Sequence, residues 1–132
     1  MKATRFETEA TFVTLLDSGI ARIDIKPGEE VTLDIIHKMH PWINENMTTD
    51  KQYVMIVPGV GSTADHEVRS YMVTEERSSD IAADAIIVST IAHRLIVNFY
   101  LKYNRPYVPT KVFTNTEAAE KWLVEQVALN KS

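Results

Sequence analysis

The order of hydrophobic patterns predicts an α/β fold: an N-terminal β-hairpin, then alternating helices and strands, giving a mixed, mainly parallel sheet with helices packed against it. Three observations carry this reading. Thr11–Leu16 and Ile20–Ile25 are β-rich segments joined by the turn residues Asp17-Ser18-Gly19, with Ala21, Ile23 and Ile25 alternating against Arg22 and Asp24. Tyr53–Val57 and Ala85–Val88 are continuous apolar runs, the pattern of strands covered on both faces. Capped helical patterns follow these runs, so the order reads β-β-α-β-α-β-α-β-α.

Each element has its own local signal. Lys26-Pro27-Gly28 breaks the second strand, and Thr32 is placed to cap a helix with Leu33, Ile36, Met39 and Ile43 on one side. Pro41 lacks a backbone donor and its ring crowds the His37 carbonyl, which predicts a kink near His40 or a break there. After Tyr53–Val57, Pro58-Gly59 turns the chain toward a helix bearing Ala64, Val68, Tyr71 and Met72, with Ser62, Thr63 or Asp65 as its cap. Glu75–Asp80 reads as a polar connector into the strand ending at Val88. Ser89 or Thr90 then caps a helix whose Ala92, Leu95, Ile96, Phe99 and Tyr103 form an apolar stripe expected to face the core, leaving Arg94, Asn98 and Lys102 nearer the flank or solvent.

Asn104–Pro109 ends that helix, since asparagine tolerates a left-handed turn and proline cannot donate to a ladder. Lys111–Phe113 is short enough to be an edge strand. Thr114-Asn115-Thr116-Glu117 fits a capping box, with Phe113 stapled on Ala118 and with Ala119, Trp122, Leu123 and Val127 as the buried face of the last helix.

Composition narrows the function classes. At 132 residues the length fits one domain, with its core over about residues 11–129. Hydrophobic residues at 45% and charged residues at 24% are ordinary for a globular chain. A formal charge of -4 and no Lys/Arg cluster argue against a nucleic-acid partner. With no cysteine, disulfides and thiolate chemistry are excluded, which suits a cytoplasmic protein. The early charges after Met1 and the lack of a long apolar run predict neither a signal peptide nor membrane insertion.

Chemistry-bearing constellations are sparse. His37 and His40 lie three apart on one helix, but no third ligand is near in sequence, so we expect partly exposed histidines and no metal site. Gly59, Gly61, Ser62, Thr63, Asp65 and His66 form the candidate binding or phosphorylation site: strand, glycine loop and helix N-terminus in that order favour an anion, although Asp65 repels one. Neither a phosphate-loop nor a complete dinucleotide motif is present.

The segment Ala92–Leu101, Asn104-Arg105-Pro106, Pro109–Asn115 and Glu120-Lys121-Trp122-Leu123 resembles the closing part of small SpoIIAA-like proteins. These are stand-alone bacterial members of the STAS superfamily, the sulphate-transporter and anti-sigma-factor-antagonist domains. The likeness extends over nearly the whole chain in element order. It implies a non-enzymatic domain that docks to a partner, and in the antagonists a serine phosphorylated at the N-terminus of the helix after the third strand, a place that Pro58–Asp65 occupies here. The antagonists' Asp-Ser-x-Gly is replaced by Gly61-Ser62-Thr63-Ala64-Asp65. A phosphate on Ser62 or Thr63 would add about -2 of charge beside the helix dipole.

The resulting expectation is an interaction or regulatory module that binds a protein partner, or itself as a homodimer, through that loop and helix. The alternative is a binder of a small apolar or anionic ligand in a pocket lined by residues such as Phe99, Tyr100 and Trp122. No catalytic set and no cofactor are expected, because His37, His40, His66 and His93 pair with no nucleophile or carboxylate at a telling spacing.

Overall fold

The computed structural model describes residues 4–104 and 106–131. In chain order the elements are β1 (Arg5–Glu7), β2 (Thr11–Leu15), β3 (Ala21–Ile25), β4 (Glu30–Val31), α1 (Leu33–Asn46), β5 (Gln52–Val57), β6 (Thr63–Ala64), α2 (His66–Met72), β7 (Ile81–Ile87), α3 (Ile91–Asn104), β8 (Thr110–Phe113) and α4 (Thr116–Lys131). A single 3₁₀ turn, Glu76–Ser79, leads into β7.

Six strands form the main sheet in the order β1-β2-β3-β5-β7-β8. The β2–β3 hairpin is antiparallel as its turn residues predict, and Gly19 supplies the positive φ of +92° that the turn needs. β3, β5, β7 and β8 run parallel, so the two continuous apolar runs do lie inside the sheet. β8 is an edge strand, as its length suggested. The other edge, β1, is a strand that sequence reasoning missed. Three residues pairing Arg5 with Thr14 and Glu7 with Phe12 are too few to show a period, and two of the three are charged.

Helices cover both faces. On one side Ile35, Met39 and Ile43 of α1 and Val68 of α2 pack against Val13 and Ala21. On the other, Ala119, Leu123 and Val127 of α4 meet Ile20, Met55, Ala83 and Ala85. Burying these layers is the main stabilising term, at about 25 cal/mol per Å² of apolar surface.

Several local expectations change. Of the kink or break expected at Pro41, the break does not occur: α1 is continuous from Leu33 to Asn46, with Met39 and Ile43 on either side of the proline buried, packing that outweighs one missing hydrogen bond. The last helix is capped by Asn115, whose Oδ1 accepts from the Ala118 N–H at 2.8 Å, and not by the capping box begun at Thr114. Phe113 meets the Trp122 ring at 5.8 Å rather than the exposed Ala118, and Trp122 itself is half-buried. Thr90 caps α3 by accepting from the His93 N–H at 3.0 Å. The Tyr103 end of the apolar stripe and the turn at Asn104-Arg105 lie outside the described side chains and residues.

Candidate functional site

The stretch from Gly59 to Asp65 serves the fold more than it offers a loop. Its last part is β6, which pairs in parallel with β4 as Glu30 with Thr63 and Val31 with Ala64. Gly28 N–H donates to the Val60 carbonyl at 2.9 Å, and Thr63 N–H to that of Glu29 at 3.1 Å. Gly59 lies directly against the chain leaving β3: a Cβ built on it would be 2.8 Å from the Pro27 nitrogen and closer still to the Ile25 carbonyl oxygen. Gly61 holds a φ of +74°.

The polar residues of the stretch separate. Asp65 is the cap of α2, its Oδ1 accepting from the Val68 N–H at 2.9 Å. The Ser62 hydroxyl is buried and has no hydrogen-bond partner. Thr63 and His66 are exposed. At this edge Thr63 is therefore open to solvent, while the Ser62 hydroxyl is closed off.

A second feature reverses an expectation. The stripe of α3 read as core faces solvent: Ala92 is exposed, Leu95, Ile96 and Phe99 are 65%, 67% and 64% exposed, and Ile91 beside them is 76% exposed. Among the described side chains of this helix, only Val97, Tyr100 and Leu101 are half-buried, one short face set against β8. The Tyr100 hydroxyl donates to the Arg69 carbonyl of α2 at 2.9 Å, which places α3 on the α1/α2 side of the sheet. Periodicity correctly found an amphipathic stripe, but α3 carries two apolar faces and the edge strand offers room for the narrower one.

A buried ion pair lies on the same side of the sheet. Asp84 of β7 projects to this side and is 1% exposed, with Arg77 of the 3₁₀ turn lying over it at 6%. Arg77 Nη2 donates to Asp84 Oδ1 at 2.7 Å, and Nη1 donates to Oδ2, a bidentate fork. Burial on its own pushes the guanidinium pKa down; the charge of Asp84 and its hydrogen bonds outweigh that and hold it above the ordinary value. In the sequence Arg77 reads only as part of the polar connector Glu75–Asp80.

The histidines give no catalytic arrangement. His37, His66 and His93 are exposed. His40 has both ring nitrogens engaged, Nε2 at 3.1 Å from Asp80 Oδ2 and Nδ1 at 3.1 Å from Gln52 Nε2. Ser79 Oγ approaches Asp80 at 3.4 Å, so the carboxylate stands between hydroxyl and imidazole, the reverse of what a nucleophile needs. Among the described residues no three His, Cys, Asp or Glu side chains are grouped to hold a metal ion.

Two hollows among the described residues bear on a ligand site. An apolar slot of about 100 Å³ lies between α1, α2 and the sheet, walled by Ile23, Ile36, Met39, Ile56 and Met72. At the edge where β5 and β7 begin, a cleft of about 520 Å³ is bordered by Thr48, Lys51, Tyr53, Ser78, Tyr107 and Asn130. Phe99, Tyr100 and Trp122 line neither. Phe99 points to solvent, and Trp122 sits across the sheet beside Phe113.

Residues 14–127 match the family described as a domain of unknown function, DUF7793. The chain belongs to the DUF7793 family. Among solved structures it is similar to an uncharacterized protein of the DUF3478 family with a SpoIIAA-like fold, from Shewanella loihica PV-4. The two share 12% identity over 90% of each chain, with a TM-score of 0.55, a likeness that establishes the fold alone. A comparison with curated proteins finds none that matches. The SpoIIAA-like fold implied by the closing segment is thus the fold this DUF7793 chain has. Among the described residues, no helix is long and apolar enough to cross a membrane.

Proposed function

We propose that this DUF7793 chain is a non-enzymatic docking module. Its recognition surface is the outward stripe of α3 beside α2, with the Gly59–Asp65 stretch as the rim at the same end of the parallel strands. The observation carrying this is the exposure of Ala92, Leu95 and Ile96, at i, i+3 and i+4 on α3. Side chains of this size, mostly exposed and contiguous, make a patch of the order at which monomer surfaces become interaction sites, a few hundred Å². The engaged nitrogens of His40 support the absence of acid–base chemistry.

A photo-crosslinking residue at Ile96 tests this, with the same residue at the exposed Glu125 of α4, across the sheet, as control. Expressed in its own cells, the protein carrying it at Ile96 should yield one discrete adduct that the Glu125 form lacks. Equal labelling at both positions, or none at either, rules the reading out.

The 520 Å³ cleft favours a second reading, a small-ligand site, since ligand pockets run to about 300–1,000 Å³. Its hydroxyl and amide groups suit a polar ligand better than the apolar one that the aromatic residues suggested. Native mass spectrometry of protein taken from cells, compared with a Ser78→Trp variant that fills the cleft, should show a bound mass only without the substitution.

A further inference from the structure

Charge is distributed unevenly along this chain. Residues 85–116 hold four of its 14 Lys and Arg and none of its 18 Asp and Glu, so a net-acidic protein presents one carboxylate-free, cationic segment. That segment contains the whole of α3.

The cations are ordered relative to the stripe. At about 100° per residue, Arg94, Asn98 and Lys102 form a row along one flank of Leu95, Ile96 and Phe99, about 12 Å from end to end. Arg94 and Lys102 are exposed. The opposite flank carries His93 and no lysine or arginine.

We propose that the occupant of this face is an acidic amphipathic helix of a partner protein. Its apolar side would lie on Leu95 and Ile96, and its carboxylates would run beside Arg94 and Lys102. The inference rests on the docking reading above and names the partner's chemistry. Helix-on-helix recognition uses apolar anchors at i, i+3 and i+4 with flanking charges that set orientation, which matches the pattern here. The exposed stripe offers about 500 Å² to such a helix. A second copy of the chain fits poorly, because two α3 helices packed together would oppose cationic surfaces with no carboxylate to balance them. An anionic lipid surface would be met by cations on both flanks of an interfacial helix, whereas here they line one.

The probe is a fluorescein-labelled 21-residue helical peptide with Leu at positions a and d of each heptad and Glu along one flank. Its partner has Lys in place of Glu. Anisotropy titration with the full chain should show the Glu peptide binding at least tenfold tighter than the Lys peptide, with the difference shrinking between 50 and 300 mM salt. Arg94→Glu/Lys102→Glu should reverse the preference, and Arg94→Gln/Lys102→Gln, a milder change, should abolish it. Equal binding of both peptides, or none, overturns the proposal. So does binding to phosphatidylglycerol vesicles in preference to the peptide, or a dimer in sedimentation that Leu95→Glu dissociates. If Ile96 yields its cellular adduct while the peptides fail, docking stands and the acidic helix falls; if both fail, so does the docking reading.

Discussion

Arg77 grips Asp84 with both arms of its guanidinium inside the α1/α2 side of the sheet, Nη2 2.7 Å from Oδ1. The pair joins the 3₁₀ turn to a central strand, so each charge depends on the other for its place in the interior. Removing one partner leaves the other buried without a counter-charge, a loss of about 3–5 kcal/mol. Asp84→Ala should therefore lower the urea midpoint far more than Arg77→Met/Asp84→Leu, which removes both charges. Similar midpoints for the two variants would show that the pair is not carrying stability in this way.

Tyr71 supplies a pH test. Burial pushes its phenol above the ordinary 10.0; Arg77 opposes this, and Glu76, Asp80 and Asp84 add to it. A raised folded pKa means that the native state keeps its proton while the unfolded chain has begun to lose it. Stability is then intact below pH 10 and falls as pH rises through the folded pKa. Tyr71→Phe should flatten this alkaline decline in thermal unfolding from pH 9 to 11, and an unchanged slope would assign the decline to other groups.

At the rim, glycine and serine are used for space. Gly59→Ala sets a methyl against backbone atoms of Ile25 and Pro27, which we expect to destabilise the protein by about 1–3 kcal/mol. Ser62→Ala removes a buried, unpaired hydroxyl and should be neutral or stabilising by up to about 1 kcal/mol. Ser62→Asp should destabilise, whereas Thr63→Asp, at an exposed position, should leave the midpoint within about 0.5 kcal/mol. Chemical denaturation of the four variants checks all of these outcomes.

The direction in which α3 faces can be read from stability alone. Leu95→Ser and Ile96→Ser change outward side chains and should shift the unfolding free energy by less than about 0.5 kcal/mol. Leu123→Ala, in the α4 layer, should cost about 2–5 kcal/mol. A core-sized loss at Leu95 would place the stripe inward after all.

Much of the architecture was legible from local chemistry. The Asp17-Ser18-Gly19 turn, the runs at Tyr53–Val57 and Ala85–Val88, the cap at Thr90 and the brevity of Lys111–Phe113 each depend on neighbouring residues, and each appears where its pattern placed it. β1 escaped because three residues cannot display a period. The pairing of β4 with β6 escaped because it joins residues about 33 apart across the chain, as Glu30 with Thr63.

The candidate site divides along the same line. Sequence determined that Asp65 stands among the residues able to cap α2, and that α3 bears an apolar stripe with Arg94 and Lys102 on its flank. Only the tertiary structure decided that the Ser62 hydroxyl is enclosed, that Arg77 reaches Asp84, and that the stripe looks outward. Periodicity defines a helix's faces relative to one another; which of them meets the sheet is set by the surface that distant residues leave vacant. Here the short edge strand β8 takes the narrow face of α3 with Val97, Tyr100 and Leu101, and Leu95 and Ile96 are left in water.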